Sequence, residues 1–353
     1  MKTVITTVGT SVLSNYRKAN SLHPGGPLPE LDVLARYLKQ TPVTEASAET
    51  NSLSRLLDKS ATIDLLHSCT PEGKLCAAAL HLNYADYSVT MCEIYGIVSS
   101  AEEFKTRGLK SLVSLIIERI MEAKKVQRQP IICATGGFKA ETAYATMVGQ
   151  LFDVPVYYIH EQFSEIIEMP TSPIGWDYHL LAEHEEFCEW LFGADSREAR
   201  ETENRLKGMP AKMATLVLQQ EDGNYTVSPI GYAIFERYQD ILETGSASIK
   251  LSPSAHKDYL ALDSNTRGRF DSVFKKLRVP SLWMTAARQE PPSDCLIYPG
   301  GHRDERVFFE AARDSGELRV LEIARHSDKS YERKLDRRVK SADYVDQSFV
   351  AID

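Results

Sequence analysis

Residues 1–165 alternate strand and helix signals, and this alternation limits the fold more than any other feature of the chain. "KTVITTV", "ATIDLLHS", "VTMCEIYGIV", "PIICAT" and "VPVYYIHE" are apolar, β-branched runs of strand length. Between them, "LPELDVLARYLKQ" and "TEASAETNSLSRLLDK" read as helices, the second with Thr44 as its expected cap. "AEEFKTRGLKSLVSLIIERIMEAKK" predicts a long amphipathic helix with Leu109, Leu112, Val113, Ile116, Ile117 and Ile120 on one side. Near-continuous apolar strands interleaved with such helices predict a mostly parallel sheet covered on both faces.

The rest of the 353 residues reads differently. A proline-bearing stretch, "IIEMPTSPIGWDYHL", marks an expected boundary. Helical patterns follow, then "MATLVLQQEDGNYTVSPIGYAIFERYQDIL", whose order is helix end, strand, Asp-Gly-Asn turn, strand and helix. That order outlines a winged helix-turn-helix. "TGSASIKLSPS" (244–254) reads as a small-residue linker. Beyond it lie a helical pair pattern, alternating runs "RVFFEA" and "LRVLEIA" typical of antiparallel strands, and a terminal helix. The expected whole is an α/β multidomain chain: a Rossmann-like unit over 1–168, a winged-helix connector over 169–243, and a linker with a small α+β unit over 244–353.

Charge follows the same division. Residues 1–254 carry 23 Lys and Arg against 32 acids, and residues 255–342 carry 18 against 14. An acidic body with a basic end predicts that any nucleic acid is met by the C-terminal unit. No apolar run reaches membrane-spanning length, and the polar start "MKTVITTVGTS" does not read as a secretory signal. The six cysteines form no CxxC pair. A cytoplasmic protein with reduced thiols and no membrane partner is expected.

Two turns end parallel strands: "TVGTS" (7–11) and "ATGGFKAET" (134–142). Ligands of open parallel sheets bind outside the carboxyl ends of the strands. Consecutive glycines let backbone N–H groups approach an oxyanion, and a following helix N-terminus adds a favourable dipole. Thr10, Ser11, Thr135 and Thr142 offer hydroxyls, and Lys139 offers a charge. An anionic ligand is expected.

This pair of turns resembles the CARF domain of CRISPR-associated signalling proteins, in particular the branch with "TVGTS" and "TGGFKAE" motifs. The resemblance covers roughly residues 1–165. It implies a homodimer that binds a cyclic oligoadenylate, the four-adenylate ring, across its two-fold axis. It implies ligand contacts from Val8, Gly9, Thr10, Ser11, Thr135, Gly136, Gly137, Phe138, Lys139 and Thr142. Some members of this branch also cut their ring. The matching residues are Ser11, to orient the attacking 2′-hydroxyl, and Lys139, to stabilise the charged transition state. Binding alone is the other reading.

At the C-terminus, "ERVFFE…GELRVLEIARHSDKSYERKL" resembles the RelE family of ribosome-dependent mRNA endonucleases, over about 255–340. The resemblance implies metal-independent cleavage with no cofactor, in which the ribose 2′-hydroxyl attacks the adjacent phosphate and leaves a 2′,3′-cyclic phosphate. Arg306 matches the arginine at the scissile phosphate, Arg325 the one near the leaving oxygen, and Tyr331 the stacking tyrosine. His326 adjoins Arg325. The family often carries two lysines upstream where this chain has "PGGHR", so His302 and Arg303 stand as their replacements, His302 as a general base. Together the resemblances imply a type III CRISPR ancillary effector, switched on by cyclic tetra-adenylate, that cuts ribosome-bound mRNA and halts translation.

Two other readings stay open. An Arg-to-His spacing found in helical HEPN ribonucleases occurs at Arg319–His326, though also at Arg17–His23, and "ELRVLEIAR" alternates as a strand does. A sensor joined to a winged helix could instead be a ligand-gated transcription regulator. Its recognition region would hold Arg197, Arg200, Arg205, Lys207 and Lys212.

Overall fold

The computed structural model describes residues 1–97, 100–159, 165–170, 175–291, 293–300, 303–312 and 316–352. In chain order the elements are β1 (Lys2–Val8), α1 (Ser11–Ala19), α2 (Leu31–Gln40), α3 (Val43–Ala46), α4 (Ala48–Leu56), β2 (Thr62–Ser68), α5 (Pro71–Asn83) and β3 (Ser88–Ile94). Then come α6 (Ala101–Glu103), α7 (Leu109–Lys125), β4 (Gln129–Cys133), α8 (Lys139–Leu151), β5 (Val156–Tyr158) and β6 (Ile167–Glu168). The middle holds α9 (His179–Glu183), α10 (Glu185–Phe192), α11 (Ala199–Leu206), the hairpin β7 (Val217–Gln219) and β8 (Tyr225–Val227), and α12 (Pro229–Glu243). The last elements are β9 (Ser248–Leu251), α13 (Pro253–Leu260), α14 (Ser264–Leu277), α15 (Pro280–Trp283), β10 (Arg288–Gln289), β11 (Leu296–Tyr298), β12 (Glu305–Ala312), β13 (Glu317–Arg325), α16 (Ser330–Asp336) and β14 (Val350–Ile352).

The chain forms two compact units. One comprises Met1–Trp176 with Glu189–Arg237, and the other Asp177–Cys188 with Tyr238–Asp353. The helix–hairpin–helix stretch is thus divided: most of it groups with the N-terminal unit, and a twelve-residue piece of the boundary region groups with the C-terminal one.

In the first unit, six strands run in the order β3-β2-β1-β4-β5-β6, parallel except for β6. The central strand β1 buries six of its seven residues because helices cover both faces. Val4 and Val8 meet Leu34, Leu53 and Leu80 on one side, while Ile5 meets Leu112, Ile116 and Val148 on the other. All six apolar residues expected on one side of the long helix are buried, and a turn of π-helix (Phe104–Gly108) precedes α7. The expected cap Thr44 is corrected: the short α3 intervenes, and Ser47 caps α4 by accepting from the Thr50 amide at 3.0 Å.

The second unit carries a mixed sheet in the order β10-β11-β12-β13-β9-β14, antiparallel except where β9 runs parallel to β13. The linker reading of 244–254 is therefore corrected. Its Ser-Ile-Lys-Leu core is β9, between two partners, with Ile249 and Leu251 buried. Alternation outweighed small-residue composition there. Helix α14 lays Phe270, Val273, Phe274 and Leu277 on the sheet.

Candidate functional sites

Strands β1 and β4 are neighbours, and β1 is the point from which the strand order runs both ways. The turns after them therefore meet at the topological switch point, where open parallel sheets form clefts. Contact is close. Thr7 Oγ1 donates to Gly136 O at 2.7 Å, and a Cβ added at Gly9 would stand 2.6 Å from the Gly137 amide nitrogen. Gly137 has φ +90°, in the region that favours glycine.

The expected ligand residues divide into two groups. Val8 is core, with only its backbone at the turn. The Thr135 hydroxyl accepts from the Ile159 amide at 3.2 Å, and Thr142 Oγ1 donates to Ala134 O at 3.0 Å. These hydroxyls brace the turn. Thr10 is exposed and its hydroxyl makes no cap bond to α1. Gly137, Phe138 and Lys139 are also exposed, Phe138 at 59%. The Phe138 ring meets Phe104 edge-on at 5.5 Å.

Glu49, fully buried, was not legible as a site residue. Its Oε1 accepts from the Gly9 amide at 2.9 Å and its Oε2 from the Ser11 hydroxyl at 2.6 Å. Ser11 Oγ in turn accepts from the Ala48 amide at 3.1 Å. Two groups expected to face an anion are thus answered from within. An acid in the first turn of a helix ordinarily reads as a dipole partner, and no local pattern marks Glu49 for this role. Glu141, under Gly137, is also buried, and burial pushes its pKa up to about 7 against the pull of the Phe138 amide.

The second unit holds a cavity of about 280 Å³ lined by Arg288, Glu290, Ile297, Pro299, Gly300, Arg306, His326 and Tyr331. Tyr331 is its hub. The phenol donates to Glu290 Oε2 at 2.5 Å, the His326 ring lies 4.4 Å from the Tyr331 ring, and the Arg306 guanidinium lies 5.6 Å over it. Burial, then the Glu290 carboxylate, raises the Tyr331 pKa. Arg306 is only 4% exposed, and burial lowers its pKa. Its Nη1 donates to Arg303 O at 2.6 Å and to Glu305 O at 2.8 Å.

Three of the expected catalytic residues, Arg306, His326 and Tyr331, thus share one cavity. Arg325 lines a different one, with Asp258, Phe270 and Ser330, and its guanidinium holds Asp328 at 2.9 Å. Arg303 turns to Glu185 at 3.1 Å and Ala182 O at 3.2 Å. His302 lies outside the described residues. Arg288 and Glu290 were missed; their two-residue spacing at β10, an edge strand, is the signal that could have found them.

The rival spacings fare differently. Arg319 stands on strand β13, paired with Glu317 at 2.9 Å, where a HEPN site needs a helix. Arg17 holds the Gly26 carbonyl at 2.5 Å. In the expected DNA-recognition region, Arg197 and Arg205 lie over the Trp190 ring at 4.7 and 4.4 Å, so these cations are engaged internally.

Residues 44–172, a little over a third of the chain, match the family model described as CRISPR-associated protein (Cas_APE2256). Similar solved structures include protein VC1899 from Vibrio cholerae, at 10% identity over 92% of this chain and 77% of that one, with a TM-score of 0.31. Enterococcus italicus Csm6 bound to cyclic hexa-2′-fluoro-hexa-dAMP is 10% identical over 68% of this chain and 54% of its own, with a TM-score of 0.31. Can2 from Sulfobacillus thermosulfidooxidans, in complex with cyclic tetra-adenylate, is 9% identical over 91% and 79%, with a TM-score of 0.28.

No helix among the described residues is long and apolar enough to cross a membrane. All six cysteines are free thiols.

Proposed function

We propose that the chain is a metal-independent endoribonuclease, governed by a cyclic oligoadenylate bound to its first unit. One observation carries the catalytic half: Glu290, His326, Arg288 and Arg306 gather around Tyr331 in one cavity. These groups suffice for transphosphorylation within RNA. The Glu290 carboxylate takes the proton of the ribose 2′-hydroxyl, whose oxygen attacks the adjacent phosphorus. Arg288 and Arg306 answer the charge that grows on the phosphorane oxygens. Protonated His326 gives its proton to the departing 5′-oxygen. The products are a 2′,3′-cyclic phosphate and a 5′-hydroxyl, with no water or cofactor consumed. Tyr331, itself buried against Phe308, His326 and Arg306, holds Glu290 in place.

The sensor half rests on the turns at the switch point and on the match of residues 44–172 to CRISPR-associated proteins. Lys139 and the start of α8 suit a phosphate, and exposed Phe138 beside it suits an adenine face. Cyclic tetra-adenylate held between two copies of the chain is the proposed activator. Ring cleavage would use Ser11, whose proton already points to Glu49, together with Lys139. In this reading the RNA target is mRNA on the ribosome and the setting is a type III CRISPR response.

The test is cleavage of mRNA, free and on translating ribosomes, with and without cyclic tetra-adenylate. Cleavage that needs the ring and leaves 2′,3′-cyclic phosphate ends supports the reading. Cleavage that survives Glu290→Gln and Arg306→Ala, or that leaves 5′-phosphates, overturns the catalytic half. Cleavage indifferent to every cyclic oligoadenylate overturns the sensor half.

A further inference from the structure

Beyond the cavity itself, the second unit contains an ion cluster that the chemistry above does not use. Glu185, at the start of α10, accepts from Lys276 Nζ at 2.5 Å, Arg303 Nη2 at 3.1 Å and Ser272 Oγ at 3.2 Å. Lys276 is 2% exposed, so this carboxylate answers a deeply buried ammonium. Burial by itself would raise the Glu185 pKa, but Lys276 and then Arg303 hold it below the ordinary carboxylate range. Glu185 is therefore a fixed negative charge at neutral pH.

That charge reaches the cavity in two steps. The Arg303 guanidinium is clamped between Glu185 and the Ala182 carbonyl. The Arg303 main-chain carbonyl accepts from Arg306 Nη1 at 2.6 Å. Arg306, buried and seated over the Tyr331 ring, faces the cavity. Clamping the Arg303 side chain thus fixes the carbonyl that aims Arg306. We propose that Glu185 is a positioning residue for the ribonuclease: acting through Arg303, it sets the orientation of Arg306 against Tyr331. The proposal rests on the catalytic reading of this cavity and adds a role that touches neither RNA nor reacting atoms.

The experiment uses the full chain. Glu185→Gln keeps the shape and removes the charge. The expected result is a fall in kcat of roughly ten- to a hundredfold, the scale of a misplaced group, with KM for RNA changed by less than about twofold. Arg303→Gln should reproduce the loss, and the double variant should be no worse than either single one, because the two act as one device. Ile249→Ala, a core change on β9, controls for stability: it should lower the melting temperature without a comparable fall in kcat at 25 °C. A second readout is the His326 imidazole resonance, assigned with His326→Gln. Its position should move in Glu185→Gln and Arg303→Gln and hold in Ile249→Ala.

Unchanged kcat in Glu185→Gln overturns the proposal. So does a loss no larger than Ile249→Ala produces at matched stability, or additive losses in the double variant. If the wild-type chain cleaves no RNA, the catalytic reading fails and the resonance decides alone: an unmoved His326 signal overturns the positioning role, and a shifted one supports it.

Discussion

At the switch point of the first unit, the groups that meet most closely are main chain, in turns that glycine alone can pack so closely. In the cavity of the second unit they are side chains, delivered from an edge strand, β12, the end of β13 and the start of α16. Both places pair a carboxylate with a hydroxyl at short range, Glu49 with Ser11 and Glu290 with Tyr331. Their surroundings differ. Glu49 is sealed under the turn and serves the framework, whereas Glu290 opens onto a cavity with two arginines and a histidine. A site made of backbone is sensitive to shape and tolerant of side-chain chemistry. A site made of side chains is the reverse.

The contrast yields ordered expectations. The largest effects belong to the cavity. Glu290→Gln should lower kcat by about 10²–10⁴-fold, the usual range for losing a general base. Arg306→Ala should lower it by about 10²–10³-fold. Both should leave ring affinity, measured by calorimetry, within twofold of wild type. Equal weakening of ring binding would break the division of labour. Next comes Gly9→Ala. The added methyl would overlap the Gly137 amide, and overpacking of this kind costs about 1–3 kcal/mol. Ring affinity should fall steeply, and ring-dependent cleavage should need correspondingly more ring to reach the same rate. Tolerance of alanine would show that the turns are not pressed together in solution.

Lys139→Ala should weaken ring binding about tenfold, and raising salt should narrow the gap. The smallest effect concerns Glu141. Its folded pKa of about 7 lies above the model-peptide value of 4.5, so the folded state binds the extra proton between those values. Its contribution to stability is complete below about pH 4.5 and is lost as pH rises through about 7. Thermal melts of Glu141→Gln should therefore match wild type at pH 5 and exceed it at pH 8. A constant gap across that range would contradict the burial argument.

How legible all this was depended on the type of signal. The parallel sheet could be read from β1, β2 and β4, whose β-branched and apolar runs are buried almost throughout because both faces are covered. The buried side of α7 followed from its spacing. β9 was missed because four residues of alternation lay among serines and a glycine. Glu49, Glu290 and Arg288 were missed for a different reason: their partners are 38 to 41 residues away or on other elements, and no local pattern encodes such a meeting. Arg303 and Arg325 were legible as cations beside the C-terminal strands. Arg303 faces Glu185, 118 positions away, which only tertiary structure brings near, whereas Asp328 stands three residues after Arg325 and was within local reach.

The passage of the chain through Asp177–Cys188 has an experimental consequence. The C-terminal unit draws a short piece from before Glu189–Arg237, a stretch that groups with the other unit. No single cut in the polypeptide can therefore release either unit whole. A fragment starting at residue 244 would lack the carboxylate 91 positions upstream of Lys276 and leave a buried cation without it. Such a fragment should be poorly soluble or inactive whatever the intact protein does. A silent truncation would then report a torn unit, not the absence of chemistry.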